Sequence, residues 1–395
     1  MASGHRLRLT RPDWHSARHE AFLAGTPLPA VEVPLGAAIG ATAASDIVAR
    51  CDVPHYASSA MDGWTVAGSG PWRLVSAERL SNGEARAIVT GGLVPDGALG
   101  ILRSEHGTVT EVDGGAVLDR SAAARSDEPG DREHVRPAGE EVTRGETVIR
   151  AGTVMNPAHI AVAAVCGHDE LPVLPKPRLA LVLTGDEVVD RGIPTPGHVR
   201  DSFGPQLPAF VAMLGGQVVS SRRLPDDLAV LIAEIDELSD AEVIITTGGT
   251  GTSTVDHLRT ALDRLGARLV IDGVAMRPGG PSLLAELPDG RFLVGLPGNP
   301  LAAMMGMFTL ARPLIAALAG ASEPSLGSVT AERELAGRAG VSTLLPYHLQ
   351  NGAVQQSVWF GSGMLRGLAE ADGVLIVPPS GVRPGETVQT IPLPW

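Results

Sequence analysis

Between residues 178 and 318 short apolar runs alternate with segments whose apolar residues recur at helical spacing. Arg178-Leu179-Ala180-Leu181-Val182-Leu183-Thr184 reads as a strand buried on both faces, ending at Gly185-Asp186-Glu187. The pattern then predicts a helix over 204–214, a strand over 217–221, a helix over 226–238 and the strand Glu242-Val243-Ile244-Ile245. A helix over 254–265, a strand over 268–271, the strand Phe292-Leu293-Val294 and a helix over 301–318 complete the segment. Strands divided by helices of this length predict a parallel, doubly wound α/β sheet, whose ligands sit at the carboxyl ends of its strands. The other regions differ. Short alternating segments over 66–119 and again after Gly320 predict a β-rich unit on each side of the α/β segment, the second of them running to the C-terminus. Near the N-terminus, Asp13 caps a predicted helix over 13–23, and a second short helix is predicted over 39–49. Residues 121–133 read as an exposed, charged loop, and helix 157–166 as a linker.

Composition bounds the chemistry. At 395 residues the chain exceeds the size of one core, and 44% hydrophobic with 19% charged residues is globular. A formal net charge of -13 argues against nucleic acid, so an anionic ligand needs local cations or backbone donors. Cys51 and Cys166 have no CxxC companion, which argues against a zinc site or a disulfide framework. The start lacks an apolar signal core and no run reads as reaching membrane-spanning length, so the expected location is the cytoplasm, away from the membrane.

The candidate chemistry lies on loops at strand ends. Gly248, Gly249, Thr250, Gly251, Thr252 and Ser253 form a glycine-rich turn between strand and helix, where backbone N–H groups and the helix dipole suit a phosphate. Asp256 adds a carboxylate for a divalent ion; Ser253, three residues earlier, equally fits an ordinary helix cap. Asp62 before Gly63 is either a carboxylate held at a turn or a plain Asp-Gly turn. Met276-Arg277-Pro278-Gly279-Gly280-Pro281-Ser282 and Gly295-Leu296-Pro297-Gly298-Asn299-Pro300 share the same sheet edge, with Asn299 either a ligand contact or a simple N-cap.

Seven segments occur in the order found in one family: Ser59-Ala60-Met61-Asp62-Gly63, Val135-Arg136-Pro137-Ala138-Gly139-Glu140, Leu183-Thr184-Gly185-Asp186-Glu187, Arg200-Asp201-Ser202, the two loops just given, and Gly361-Ser362-Gly363-Met364. On these the chain resembles the molybdopterin molybdenumtransferase family of bacterial MoeA and the gephyrin E domain, over nearly its whole length. The resemblance implies an N-terminal linker domain (1–50 and 134–174) interrupted by a β-rich insert (51–133), an α/β molybdopterin-binding domain (175–320) and a C-terminal β-barrel-like domain (321–395). It implies a homodimer that takes small-molecule substrates and works beside other cofactor-biosynthesis proteins. The implied reaction hydrolyses adenylylated molybdopterin, releases AMP and places molybdate on the dithiolene.

The implied catalytic residues are Asp62, Thr90, Asp186, Glu187 and Asp256, with Glu187 and Asp256 on Mg²⁺ and Glu141 matching a further acidic position. Asp62, Thr90 and Glu141 match positions that the family's insert supplies across a dimer cleft. Gly248 to Ser253, Arg277, Pro278, Gly279, Ser282, Pro297, Gly298, Asn299 and Pro300 would contact the pterin substrate or molybdate. Carboxylates alone repel a pyrophosphate, so this acid set makes electrostatic sense only with Mg²⁺. Several positions depart from the family. Thr250 to Thr254 resemble the related adenylyltransferases, Gly280 stands where a second cation is usual, Phe203 replaces an asparagine, and Ala98-Leu99-Gly100 lacks an aspartate. These departures leave a noncatalytic binding protein or an adenylyltransferase as alternative readings.

Overall fold

The computed structural model describes residues 8–112, 114–249, 257–350 and 353–395. The chain forms two compact units, one from the chain up to Val31 with Gly40–Ala44 and Pro172–Trp395, the other from Glu32–Ile39 and Ser45–Leu171.

In the first unit the apolar runs become a seven-stranded sheet. We label its main strands β1 (Arg178–Leu183), β2 (Gln217–Arg223), β3 (Val243–Thr247), β4 (Arg268–Asp272), β5 (Leu283–Glu286) and β6 (Phe292–Leu296). The order is β2-β1-β3-β6-β5-β4, with the two-residue strand Leu9–Thr10 at the far edge. β2, β1, β3 and β6 are mutually parallel, as the alternation of strands and helices requires. β5 corrects the all-parallel expectation: it runs antiparallel to both β4 and β6. Its Leu283, Leu284 and Ala285 are all fully buried, so it carries no two-residue alternation to mark it as a strand.

Helices α1 (Phe203–Met213), α2 (Leu228–Glu237), α3 (His257–Arg264) and α4 (Pro300–Leu318) cover this sheet. Their apolar positions divide between two buried clusters: Leu207, Phe210, Leu301 and Phe308 in one, Leu231, Ile235, Leu258 and Leu262 in the other. With α4 one sequence reading fails. This helix is long and apolar enough to cross a membrane, yet 94% of its apolar window is buried inside the protein. It is the central core helix, apolar all round because protein surrounds it. Asp13 does cap the Trp14–Ala24 helix, accepting from Ser16 N at 3.0 Å, and Trp14 donates to Thr309 of α4 at 2.9 Å.

The C-terminal segment adds a second sheet, ordered Met276–Arg277, Ser342–Gln350, Gly373–Val377, Thr387–Pro392, Gly327–Thr330. Its first strand belongs to the arginine loop that follows β4, so Arg277 lies in register with Thr343.

The second unit holds a six-stranded, mostly antiparallel sheet built from Gly63–Ala67 through Gly115–Arg120 around Val66, Trp72, Leu102 and Leu118. Gly63 sits at φ +150°, and a Cβ there would lie 2.1 Å from Leu102 O. Only glycine fits beside that strand. Two local expectations fail. The helix over 39–49 is replaced by extended pieces at Thr42–Ala43 and Ile47–Val48, because Gly40 turns the chain at φ +76°. The 121–133 segment is anchored rather than wholly exposed, since Glu128 is buried and accepts from His106 Nδ1 at 2.6 Å.

Candidate active site

The carboxyl ends of β1, β3 and β6 open into a cavity of about 770 Å³. Each strand hands over to a glycine turn. After β3, Gly248 and Gly249 have φ +87° and +62°, and a Cβ on Gly248 would lie 2.7 Å from Thr184 Oγ1. That hydroxyl donates to Thr247 O at 2.8 Å and ties the β1 and β3 turns together. Gly298, after β6, packs against Gly248, an added Cβ lying 3.7 Å from its Cα. Gly185, Glu187, Gly248, Gly249, Gly298, Asn299 and Pro300 all line this cavity. Thr250, Gly251, Thr252, Ser253 and Asp256 lie outside the described residues.

Carboxylates and Arg200 form the other wall. Glu187, Asp201 and Asp226 line it, and Asp186 is coupled to Asp226 by reciprocal backbone-to-carboxylate hydrogen bonds of 3.2 Å. Asp201 has a structural task. Its Oδ1 accepts from Phe203 N and Gly204 N at the start of α1, and its Oδ2 lies 2.7 Å from Arg223 Nη2. Burial pushes the Asp201 carboxyl up, but the Gly204 hydrogen bond and Arg223 together hold it below the usual carboxylate range. Asp226 escaped the sequence reading. The only hint was its place just past β2, at the sheet edge that carries ligands. Phe203, the replaced asparagine position, also lines the cavity.

A second cavity, of about 660 Å³, adjoins the first and shares Asn299 with it. Arg277, Pro278, Gly279, Gly280 and Pro297 line it, together with Arg11, Arg338 and Ser362, and among the described residues no acidic side chain does. Asn299 occupies the N-cap position of α4 without a side-chain capping bond. Asn299 lines both cavities, and no side-chain bond holds it to the helix as a cap. Ser282 is placed differently from the expectation: its hydroxyl is fully buried against Gly306 and lines neither cavity. Arg11 and Arg338 carried no sequence signal, being remote from every motif.

In the second unit Asp62 Oδ1 accepts from Thr90 N at 2.6 Å and Thr90 Oγ1 at 2.9 Å. The backbone bond first, then the hydroxyl, lowers the Asp62 pKa and keeps the carboxylate charged. Glu141 is exposed, its backbone N–H donating to Val53 O at 2.9 Å.

The fold and the paired cavities define an α/β ligand-binding protein whose site lies at the carboxyl ends of parallel strands, with flanking N- and C-terminal domains. Family models match in the same order: "MoeA N-terminal region (domain I and II)" over 15–167, "Probable molybdopterin binding domain" over 180–317 and "MoeA C-terminal region (domain IV)" over 329–393. Molybdopterin molybdenumtransferase 2 of Mycobacterium tuberculosis (strain H37Rv) is 32% identical over 381 residues, covering 88% of this chain and 91% of that protein. Molybdopterin molybdenumtransferase of Staphylococcus aureus (strain MSSA476) is 30% identical over 316 residues, 75% and 73% of the two chains. A molybdopterin biosynthesis MoeA protein from Pyrococcus horikoshii has the same fold, with a TM-score of 0.75 at 23% identity over 97% of this chain and 99% of that one. The chain belongs to the molybdopterin molybdenumtransferase family, a transferase family of molybdenum cofactor biosynthesis.

Proposed function

We propose that this protein inserts molybdate into adenylylated molybdopterin in a Mg²⁺-dependent reaction that releases AMP. The observation that carries the reading is the pair of adjoining cavities with different chemistry, one walled by glycine turns, carboxylates and Arg200, the other by three arginines with no acid among the described residues. The donor set of the first fits Mg²⁺. This ion binds through one or two carboxylates and completes its shell with water and substrate phosphates, and Glu187 and Asp226 supply such oxygens. When bound, the ion neutralises charge on the phosphoryl oxygens.

The chain's own groups do the rest. Gly248 and Gly249 let the backbone approach the phosphates, and Asp186 orients Asp226 through their shared hydrogen bonds. Asn299, reaching both cavities, holds the pterin end between the anhydride and the molybdate. Water cleaves the phosphoanhydride to AMP and molybdopterin, and the two dithiolene sulfurs then replace oxygen on molybdate held at Arg277, the oxygen leaving with the thiol protons as water. Asp62, held ionised by Thr90, completes the proposed catalytic set. We further propose a homodimer acting in the cytoplasm; exposed Val89 and Leu93 of the second unit suit a buried contact.

The test incubates the protein with adenylylated molybdopterin, Mg²⁺ and molybdate. AMP and active cofactor should both appear, and Glu187→Gln should slow AMP release about 100-fold or more. Tight molybdopterin binding with no AMP would select the noncatalytic reading instead.

A further inference from the structure

Arginines in this acidic chain are commonly paired: Arg178 with Glu242, Arg222 with Glu234, Arg223 with Asp201. Arg11, Arg277 and Arg338 depart from that habit. All three line the second cavity, and none has an ion-pair or side-chain hydrogen-bond partner among the described residues. Three segments distant in sequence are brought together to place them. Leu9–Thr10 pairs in parallel with Ile271 and Asp272, Arg11 N donates to Asp272 O at 3.1 Å, and Ala275 N donates to Pro12 O at 2.8 Å. Residues 9–13 are thereby fastened alongside the loop that leads to Arg277. Arg11 itself stands at φ +47°, a left-handed conformation rare for a side chain of this size. Strained backbone of that kind persists where the surroundings fix it, and it concentrates at ligand sites.

The side chain of Arg11 runs past the glycines of the loop. Its Cγ would lie 3.4 Å from a Cβ on Gly273, whose other neighbour is Gly280 O at 3.2 Å. Gly280 has little room for a side chain of its own, since a Cβ there would meet Met276 O at 3.0 Å and Val274 O at 3.3 Å. The loop therefore offers one cation, Arg277, and further cations come from outside it, from Arg11 and Arg338. A tetrahedral dianion needs more than one positive partner to offset its desolvation.

We propose that Arg11, delivered by the N-terminal segment, is a recognition residue for the molybdate oxyanion and adds a cation to Arg277 and Arg338. This inference rests on the molybdate-insertion reading above. The test measures equilibrium binding of molybdate and tungstate to the full chain, and KM for molybdate in the AMP-coupled reaction. Arg11→Gly is the informative variant, because glycine accepts the left-handed backbone and keeps the fold. Arg383→Ala, an exposed arginine away from both cavities, controls for net charge.

Arg11→Gly should weaken molybdate binding and raise its KM about tenfold or more. Affinity for adenylylated molybdopterin should be retained, and Arg11→Lys should restore part of the loss. The inference is overturned, with the function intact, if Arg277→Ala loses molybdate while Arg11→Gly binds it as the parent does. It is also overturned if Arg11→Gly weakens adenylylated molybdopterin and leaves molybdate unchanged, because the cation then serves phosphate. Failure of the parent protein to bind molybdate or release AMP overturns both readings.

Discussion

Asn299 shows how one residue can occupy a structural position and be free for another task. Its backbone begins α4, but its amide makes no capping bond and the residue lines both cavities. A capping asparagine replaced by alanine usually costs about 1 kcal/mol. Asn299→Ala should instead change stability by less than about 0.5 kcal/mol, as at sites without a lost contact, while molybdopterin affinity falls. Denaturant midpoints and ligand titration on one preparation separate these outcomes. Asp201 is the opposite case, a cavity-lining carboxylate engaged by α1 and Arg223. Its folded pKa is depressed, so its contribution to stability is fully present above the ordinary aspartate value of about 3.9 and is lost as pH falls through the lower folded value. Asp201→Asn should therefore be less stable than the parent at neutral pH, and the gap should narrow below about pH 4. A gap that stays constant down to pH 2 would show that proton linkage is not its source.

Among the elements, the strand-end turns were legible in the sequence because glycine leaves a local mark. Gly248 is required by its left-handed φ and by Thr184, whereas Gly298 has no left-handed φ and only Gly248 Cα at 3.7 Å. Gly248→Ala should accordingly cost at least about 1–2 kcal/mol from the backbone alone, and Gly298→Ala under about 0.5 kcal/mol. Equal losses in both would refute this division between the two turns. Helix α4 was legible as a helix but not in its environment. An apolar stretch of 19 residues reads the same whether protein or lipid surrounds it, and only packing partners tell them apart. Phe308, buried and edge-on to Phe210 at 5.3 Å between ring centroids, is such a partner contact. Phe308→Ala should cost about 3–5 kcal/mol in urea unfolding of the full chain. β5 left no comparable mark, because a strand buried on both faces has no period.

At the scale of the molecule, a net charge of -13 coexists with a cavity lined by three arginines and, among the described residues, no acid. Bulk charge thus describes solubility and long-range repulsion, while binding follows the local field. The proposed homodimer belongs to this scale as well; sedimentation should give a mass near twice 40.8 kDa, and a monomer at working concentration would remove that part of the proposal. The sequence by itself determined the alternation of strands and helices, the glycine turns at the strand ends and the family, because these depend on residues close together in the chain or on motifs in fixed order. Which of the acids and bases meet was decided only by tertiary structure. Asp226, Arg11 and Arg338 reach the cavities through sheet pairing and loop packing that join residues far apart in sequence, and Ser282 was turned into the core by the burial of β5. Pairing across that distance leaves no periodicity or local composition to read, so the arginine cluster exists only once the chain has folded.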